Sequence, residues 1–391
     1  MVRRAWTHWG TSQHFAVMGL PAHDAGTGLD GPVVGRTSRG GDFVLDPFDA
    51  YRAGLVTNPN VVVAGAIGSG KSTLVKMMVD RALSRGRRVV VVDPKGEYGS
   101  LAAAHDVTPL HVGRAGWCWP PERDAPATID FVQTLLAHAR RRALSAEENY
   151  VLGRTWREVS PGAPPRVLAA LYERLGAFSD DPRASAEKSL ALELHRFVAG
   201  DLAGLYDGPG DPLDVDAPLV VLDISHYWGS DLLSLASLAA VAAAQHLGRR
   251  CEAGYVVMDE AWALLGDDAS LRWLQGSWKL ARARGLAHVL VLHRWSDTGA
   301  VGEAQSSSRA RARGLLRECE ITWLFRQPPD EVAEMTATLR LTPREVASLG
   351  ELARGQALVR YGPARSLVQV TPTRRDGTFV DSDAAMRSRD A

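Results

Sequence analysis

The run Gly65-Ala66-Ile67-Gly68-Ser69-Gly70-Lys71-Ser72 fits the pattern G-x-x-x-x-G-K-[ST] in full, and it lies between two segments of opposite character. Before it, Val61–Ala64 is short, wholly apolar and mostly β-branched, as expected of a strand buried on both faces. After it, Ser72–Arg85 reads as an amphipathic helix. The glycines let backbone amides turn inward around an anion where a Cβ would obstruct, and the helix adds its positive end. A strand-loop-helix unit of this kind commits the chain to an α/β fold with a RecA-like P-loop core.

The rest of the chain extends that unit. Arg88–Val92 reads as a second buried strand ending at Asp93, and strand-like runs recur at Leu219–Leu222, Tyr255–Met258, His288–Leu292, Ile321–Phe325 and Ala357–Tyr361. Helical segments, notably Leu232–His246 and Leu271–Arg284, lie between most of them. This alternation predicts a mainly parallel sheet with helices on both faces. It is interrupted from about Thr128 to Tyr206, where Leu190, Leu194, Phe197, Val198, Leu202 and Leu205 recur on one helical face. We therefore expect a small β-rich segment over 1–58, core over 59–127 and 213–372, an α-helical insertion over 128–212, and a flexible tail over 373–391.

The expected nucleotide contacts are Gly65, Ala66, Ile67, Gly68, Ser69, Gly70, Lys71, Ser72 and Thr73. Lys71 places a point charge on the β and γ phosphates of ATP, and the Ser72 hydroxyl is a ligand for Mg²⁺. A second carboxylate must help to hold that metal. Tyr255–Met258 delivers Asp259 and Glu260 at the carboxyl edge of a strand, where parallel sheets bind ligands. Asp259 is the expected Mg²⁺ partner, and Glu260 the group that polarises the attacking water. Asp93 and Glu97, in Asp93-Pro94-Lys95-Gly96-Glu97, either touch nucleotide or a neighbouring subunit or simply form a turn. His293 could sense the γ-phosphate by hydrogen bonding or be structural.

Composition narrows the alternatives. Acidic and basic residues balance at 45 each, so no long-range field draws the whole molecule to nucleic acid, and any such contact must be local. Arg140–Arg142 and Arg309–Arg313 are candidates for a DNA-lined channel, or solvated helix faces. Cys118, Cys251 and Cys319 are odd in number and lack metal-type spacing, which fits a reducing cytoplasm and no zinc site. The apolar Leu232–Ala244 run is too short to span a bilayer and reads as a buried helix. An LSGGQ-like signature is absent, which argues against an ABC-type transporter.

GAIGSGKST, VVDPKGEY, a helical insertion, VVLDIS and YVVMDEAWALL occur in that order. Together they resemble the motor ATPases of conjugation and type IV secretion in the FtsK–HerA superfamily, over about Gly40 to Thr371. The resemblance implies a homo-oligomer, a hexamer, that hydrolyses ATP with Mg²⁺ in the cytoplasm and works with membrane-associated secretion or conjugation components. It implies the roles already given to Lys71, Ser72, Asp259 and Glu260. The family's γ-phosphate-reading Gln is replaced here by His293. It also implies an arginine acting from the adjacent subunit, an effect of roughly 10³–10⁵ in rate elsewhere, for which Arg282, Arg284 and Arg326 are the candidates. Larger members carry a long N-terminal docking domain, whereas about 60 residues precede the loop here. Two other functions stay open: a translocase that pulls duplex DNA, and a scaffold that ATP orders without turnover.

Overall fold

In the computed structural model the described residues are 26–114, 117–119, 125–162, 165–176, 185–208, 216–248, 253–265, 268–281, 283, 285–296 and 306–380. They form one eleven-stranded sheet in the order β2-β1-β11-β10-β9-β3-β8-β7-β4-β6-β5. The strands are β1 Gly35–Thr37, β2 Asp42–Phe43, β3 Val61–Ala64, β4 Arg88–Asp93, β5 Leu110–His111, β6 Leu219–Asp223, β7 Gly254–Met258, β8 Leu286–Leu292, β9 Ile321–Phe325, β10 Gln356–Tyr361 and β11 Ala364–Val370.

From β9 through β5 every pairing is parallel, and β3 runs between β8 and β9 with Ala64 opposite both Leu292 and Leu324. The remainder, β10, β11, β1 and β2, is antiparallel. The expected small N-terminal β-segment is therefore not a lead-in apart from the core. Its strands β1 and β2 extend the common sheet through β11.

The central parallel strands are largely apolar because both of their faces are covered. Val62, Ala64, Val90 and Val92 point into one core with the helices Leu233–Gly248, Asp268–Ala281 and Ser306–Arg317. Val61, Val63, Val89 and Val91 point into the other, beneath the helices Lys71–Ser84 and Gly99–Ala104. At about 25 cal/mol per Å² of apolar surface, such strands gain from burial on each face and have no solvent face to satisfy.

Between β5 and β6 the chain is helical, with Ala125–Ala139, Ala146–Val159, Val167–Gly176 and Ser185–Val198. A buried imidazole ties this block to the core: His138 meets the hydroxyls of Ser270 and Ser234, each at 2.9 Å, on two core helices. Phe131 packs on Trp119, Tyr206 and Trp273 in the same layer. No helix among the described residues is long and apolar enough to cross a membrane, and the run expected as a buried helix is one, within Leu233–Gly248.

Of the tail expected over 373–391, residues 381–391 lie outside the described residues, and the described part is packed on the core. Residues 373–380 dock on the helix Lys71–Ser84, where Asp376 is fully buried and takes both terminal nitrogens of Arg81, one at 2.6 Å. A polar sequence hid a desolvated bidentate ion pair, whose strength lies in its geometry rather than in composition. Asp376→Ala removes both bonds but leaves Arg81 paired with Asp80 at 3.0 Å. The variant is therefore expected to lower unfolding free energy by about 1.5–3 kcal/mol, read from urea melts. A loss below about 1 kcal/mol would mean that the pair is not structural.

Candidate nucleotide site

β3 delivers the glycine loop from the middle of the sheet, and three features shape it. Gly68 and Gly70 have φ of 74° and 110°, which a side chain would strain. A Cβ on Gly65 would lie 2.5 Å from the Phe325 Cβ and 2.8 Å from the Ser69 hydroxyl. Two neighbouring strands brace the loop: the Ala66 amide donates to the Arg326 carbonyl at 2.9 Å, and the Gly355 amide to the Ser69 carbonyl at 2.8 Å.

The helix Lys71–Ser84 starts at Gly70, which offers no side-chain cap. Its first-turn amides are left for an anion, with the positive end of the helix behind them. Ser72 and Thr73 are half-buried on that turn. The Ser69 hydroxyl is buried without a hydrogen-bond partner. Ile67 is 83% exposed at the tip of the loop. Lys71 is buried, and its ammonium donates to the carbonyls of Gly65 at 2.6 Å and Ala66 at 3.0 Å. Burial lowers its pKa to about 8, against the opposing pull of Asp259 and Glu260.

β8 separates β3 from β7, so His293 stands between the glycine loop and the two carboxylates. Asp259 is buried, and burial with Glu260, Glu97 and Asp93 nearby raises its pKa to about 6. One of its oxygens accepts the Glu260 amide at 3.0 Å. The buried Tyr98 hydroxyl lies against it without a hydrogen bond of ordinary geometry.

Glu260 takes a left-handed backbone, φ 50°, rare for a residue with a side chain. Its carboxylate is buried and surrounded. Oε2 accepts the Trp262 indole N–H at 2.5 Å, while Oε1 meets His293 Nε2 at 2.6 Å and pairs with the Lys95 ammonium. Burial pushes its pKa up, yet His293 and Lys95 outweigh that and hold it down to about 2.

The predicted residues fall into three groups. Lys71, Asp259, Glu260 and His293 converge, and Glu97 is close enough to bias both Lys71 and Asp259. Asp93 does not stay available: it is buried and accepts four backbone amides, from Lys95, Gly96, Glu97 and Tyr98, which settles it as the organiser of the turn. Arg326 is exposed, with its carbonyl on the loop. Arg282, Arg284 and Cys251 lie outside the described residues.

The arginines considered for a channel are largely engaged. Arg140 and Arg142 both bond Glu148, at 2.5 and 2.7 Å, because that residue also caps its own helix; Arg311 pairs with Asp268 and Arg313 with Glu334. Four residues near the site escaped the sequence reading: Lys95, Trp228, Trp262 and Gln327. The last is buried with neither amide atom partnered, one residue after the carbonyl that braces the loop. Lys95 was visible in the sequence, as one of only five lysines among 45 basic residues.

These residues fit a nucleotide with a cation. The cradle excludes Cβ atoms, an orphaned hydroxyl lines it, and a desolvated ammonium stands over it without a carboxylate bonded to it. Asp259, Glu260 and His293 offer ligand atoms within 4.8 Å of one another. Glu260 and His293 are spent on each other, so Asp259 with Ser72 is the better pair for a hard, oxygen-seeking ion.

Residues 56–164 match the family model "Helicase HerA, central domain". No curated protein sequence matches the chain. Among solved structures, VirB4 of Thermoanaerobacter pseudethanolicus superposes with a TM-score of 0.77 at 20% identity, over 90% of this chain and 98% of that one. The bacterial conjugative coupling protein TrwB superposes at 0.53 and 17%, over 82% and 88%. TrwB with a non-hydrolysable ATP analogue superposes at 0.53 and 16%, over 81% and 86%. The RecA-like fold expected from the sequence is thus the fold that this chain shares with them.

Gly65→Ala tests the tightness of the cradle. Overpacking against Phe325 is expected to cost about 1–3 kcal/mol in urea unfolding and to weaken nucleotide binding. Stability equal to the parent would show that Phe325 yields.

Proposed function

We propose that the chain is an ATP-hydrolysing motor that energises conjugative transfer or type IV secretion. One observation carries the reading: the glycine loop and an adjacent pair of buried carboxylates face each other across β8, in a chain that shares its fold with VirB4 along nine-tenths of its length. The ATP analogue in one TrwB structure, and ADP with Mg²⁺ in another, support the same ligands here.

In this reading the loop Gly65–Thr73 wraps the phosphates and Lys71 exchanges its two loop carbonyls for phosphate oxygens. Ser72 and Asp259 hold Mg²⁺, which supplies charge neutralisation at the phosphates. Glu260 orients the attacking water, and its low proton affinity suits a group that polarises water rather than one that keeps a proton. His293, at the end of β8 next to the loop strand and in contact with Glu260, reports on the terminal phosphate. Arg326, exposed beside the loop, and Arg282 or Arg284 are the candidates to act across a subunit boundary. A ring, hexameric as the resemblance implies, would supply that neighbour. The ring would work at the cytoplasmic side of a membrane, with secretion or conjugation components as partners.

A second reading, a translocase on duplex DNA, is favoured by the match to the helicase family model. ATP turnover with and without duplex DNA across salt concentrations separates the two. Turnover indifferent to DNA is expected. Strong stimulation that fades with salt would replace the secretion reading by the translocase, and no turnover under any condition would leave an ATP-ordered scaffold. Glu260→Gln is expected to bind Mg·ATP like the parent and to lose nearly all turnover. Normal hydrolysis by that variant would remove Glu260 from the mechanism.

A further inference from the structure

Glu260 is the group assigned to water, yet both of its oxygens are committed in the nucleotide-free chain. Trp262 holds Oε2, and Oε1 carries Lys95 and His293 together, whose own nitrogens are 3.3 Å apart. A carboxylate so held cannot also orient a water. The two holds differ in kind. Oε2 has a single neutral N–H donor, whereas Oε1 is shared between the Lys95 ammonium and His293, so the Lys95 hold is mainly ionic. A hold by charge is released by a stronger anion nearby.

Lys95 is built to leave. Its backbone is fixed, because the Lys95 amide donates to the buried Asp93 carboxylate at 3.2 Å. Its side chain is half-buried, and the ammonium rests 5.0 Å from the centre of the Trp228 ring, which in turn packs edge-on against Trp262. The backbone anchor is thus fixed by Asp93, while the ammonium is held only by side chains, Glu260, His293 and the Trp228 ring. Lys95 is also near enough to Lys71 to disfavour its charge, so the two ammonium groups approach one region from opposite sides. That region lies at the carboxyl edge between β3 and β4, where the terminal phosphate of a nucleotide held by the loop would fall.

We propose that Lys95 is a second phosphate-directed lysine, stored on Glu260 until a terminal phosphate is present. Lys95 then moves from the Glu260 carboxylate to the γ-phosphate, and Oε1 becomes free to accept a hydrogen bond from water. A nucleoside diphosphate does not reach Lys95 and leaves the latch closed. The proposal rests on the nucleotide reading above and adds to it a means of telling ATP from ADP.

The test is binding rather than turnover. ADP and a non-hydrolysable ATP analogue, each with Mg²⁺, are titrated into the full chain and into Lys95→Ala and Lys95→Arg. Affinities come from calorimetry, and Trp262 is followed as the emission difference between each protein and its Trp262→Phe counterpart. In the parent, the analogue but not ADP is expected to shift the Trp262 emission. Lys95→Ala should bind ADP like the parent but the analogue about tenfold more weakly, as expected for a lost charge-assisted contact, with the emission already shifted before nucleotide is added. Lys95→Arg should recover most of the analogue affinity. Unchanged analogue affinity in Lys95→Ala, or an equal loss for both nucleotides, overturns the latch. Failure of the parent to bind either nucleotide overturns instead the nucleotide reading on which the latch rests.

Discussion

Asp259 and Glu260 are consecutive acids carried below the surface at the end of a buried strand, and burying two like charges side by side is the costliest thing this structure does. The idealised cost of taking one carboxylate out of water is on the order of 20 kcal/mol, and several remain after relaxation. The two acids meet the cost by different routes. Glu260 gathers cation and donors, Lys95, His293 and Trp262, and stays ionised. Asp259 has the next amide and the Tyr98 hydroxyl beside it but no cation bonded to it, and burial with Glu260, Glu97 and Asp93 nearby raises its proton affinity. One acid is therefore fully served by the protein, and the other is left wanting a cation. That asymmetry supports the proposed division, Glu260 toward water and Asp259 toward the metal, better than their order in the chain does.

The rest of the fold serves to hold this edge still. β3 has β8 on one side and β9 on the other, and the loop that leaves it is pinned by amides and carbonyls of both outer segments. Gly70 closes to within contact of Gly355, so the loop and the start of β10 were fitted to each other as backbones. The helix that follows is tied at its far end by Arg81 to the buried Asp376 near the chain's other end. A loop that must present free amides to a ligand cannot use those amides for its own support. The bracing comes from neighbours instead, some 290 residues later in sequence.

This division explains what could be read in advance. The glycine loop was legible because its chemistry is local: three glycines, a lysine and a serine at fixed spacing within eight residues. Asp259 and Glu260 were legible because an all-apolar strand ending in two acids has few other uses. His293 was legible only as the end of a strand, and its contact with Glu260 depends on sheet order, which periodicity does not encode. Asp93 looked like a ligand for the same reason that it is a good turn-former, namely a carboxylate at a strand's carboxyl edge. Lys95, Gln327 and the Arg81–Asp376 pair depend on residues that meet only in three dimensions. Ala357–Tyr361 was legible as a strand, but its antiparallel pairing with β11, and that of β11 with β1, depends on sheet order, which periodicity does not encode.

The helical block between β5 and β6 is attached to the site by a specific route. His138 bridges Ser234 and Ser270, and Ser270 lies in the helix Asp268–Ala281, the next long helix after Asp259 and Glu260. Phe131 packs on Trp273 of the same helix. That helix also touches the one at Ser306–Arg317, where Arg311 pairs with Asp268 at its first turn. A buried imidazole with both nitrogens engaged does not slide by fractions of an ångström, because each hydroxyl contact has one good length and direction. The block and this helix therefore move together or part altogether. The phosphate loop is braced instead by the end of β8, through the Gly65 amide on the Leu292 carbonyl, and by the segments after β9 and before β10. β8 therefore serves both loop and acid, bracing the phosphate loop through Leu292 and ending in His293, which contacts Glu260.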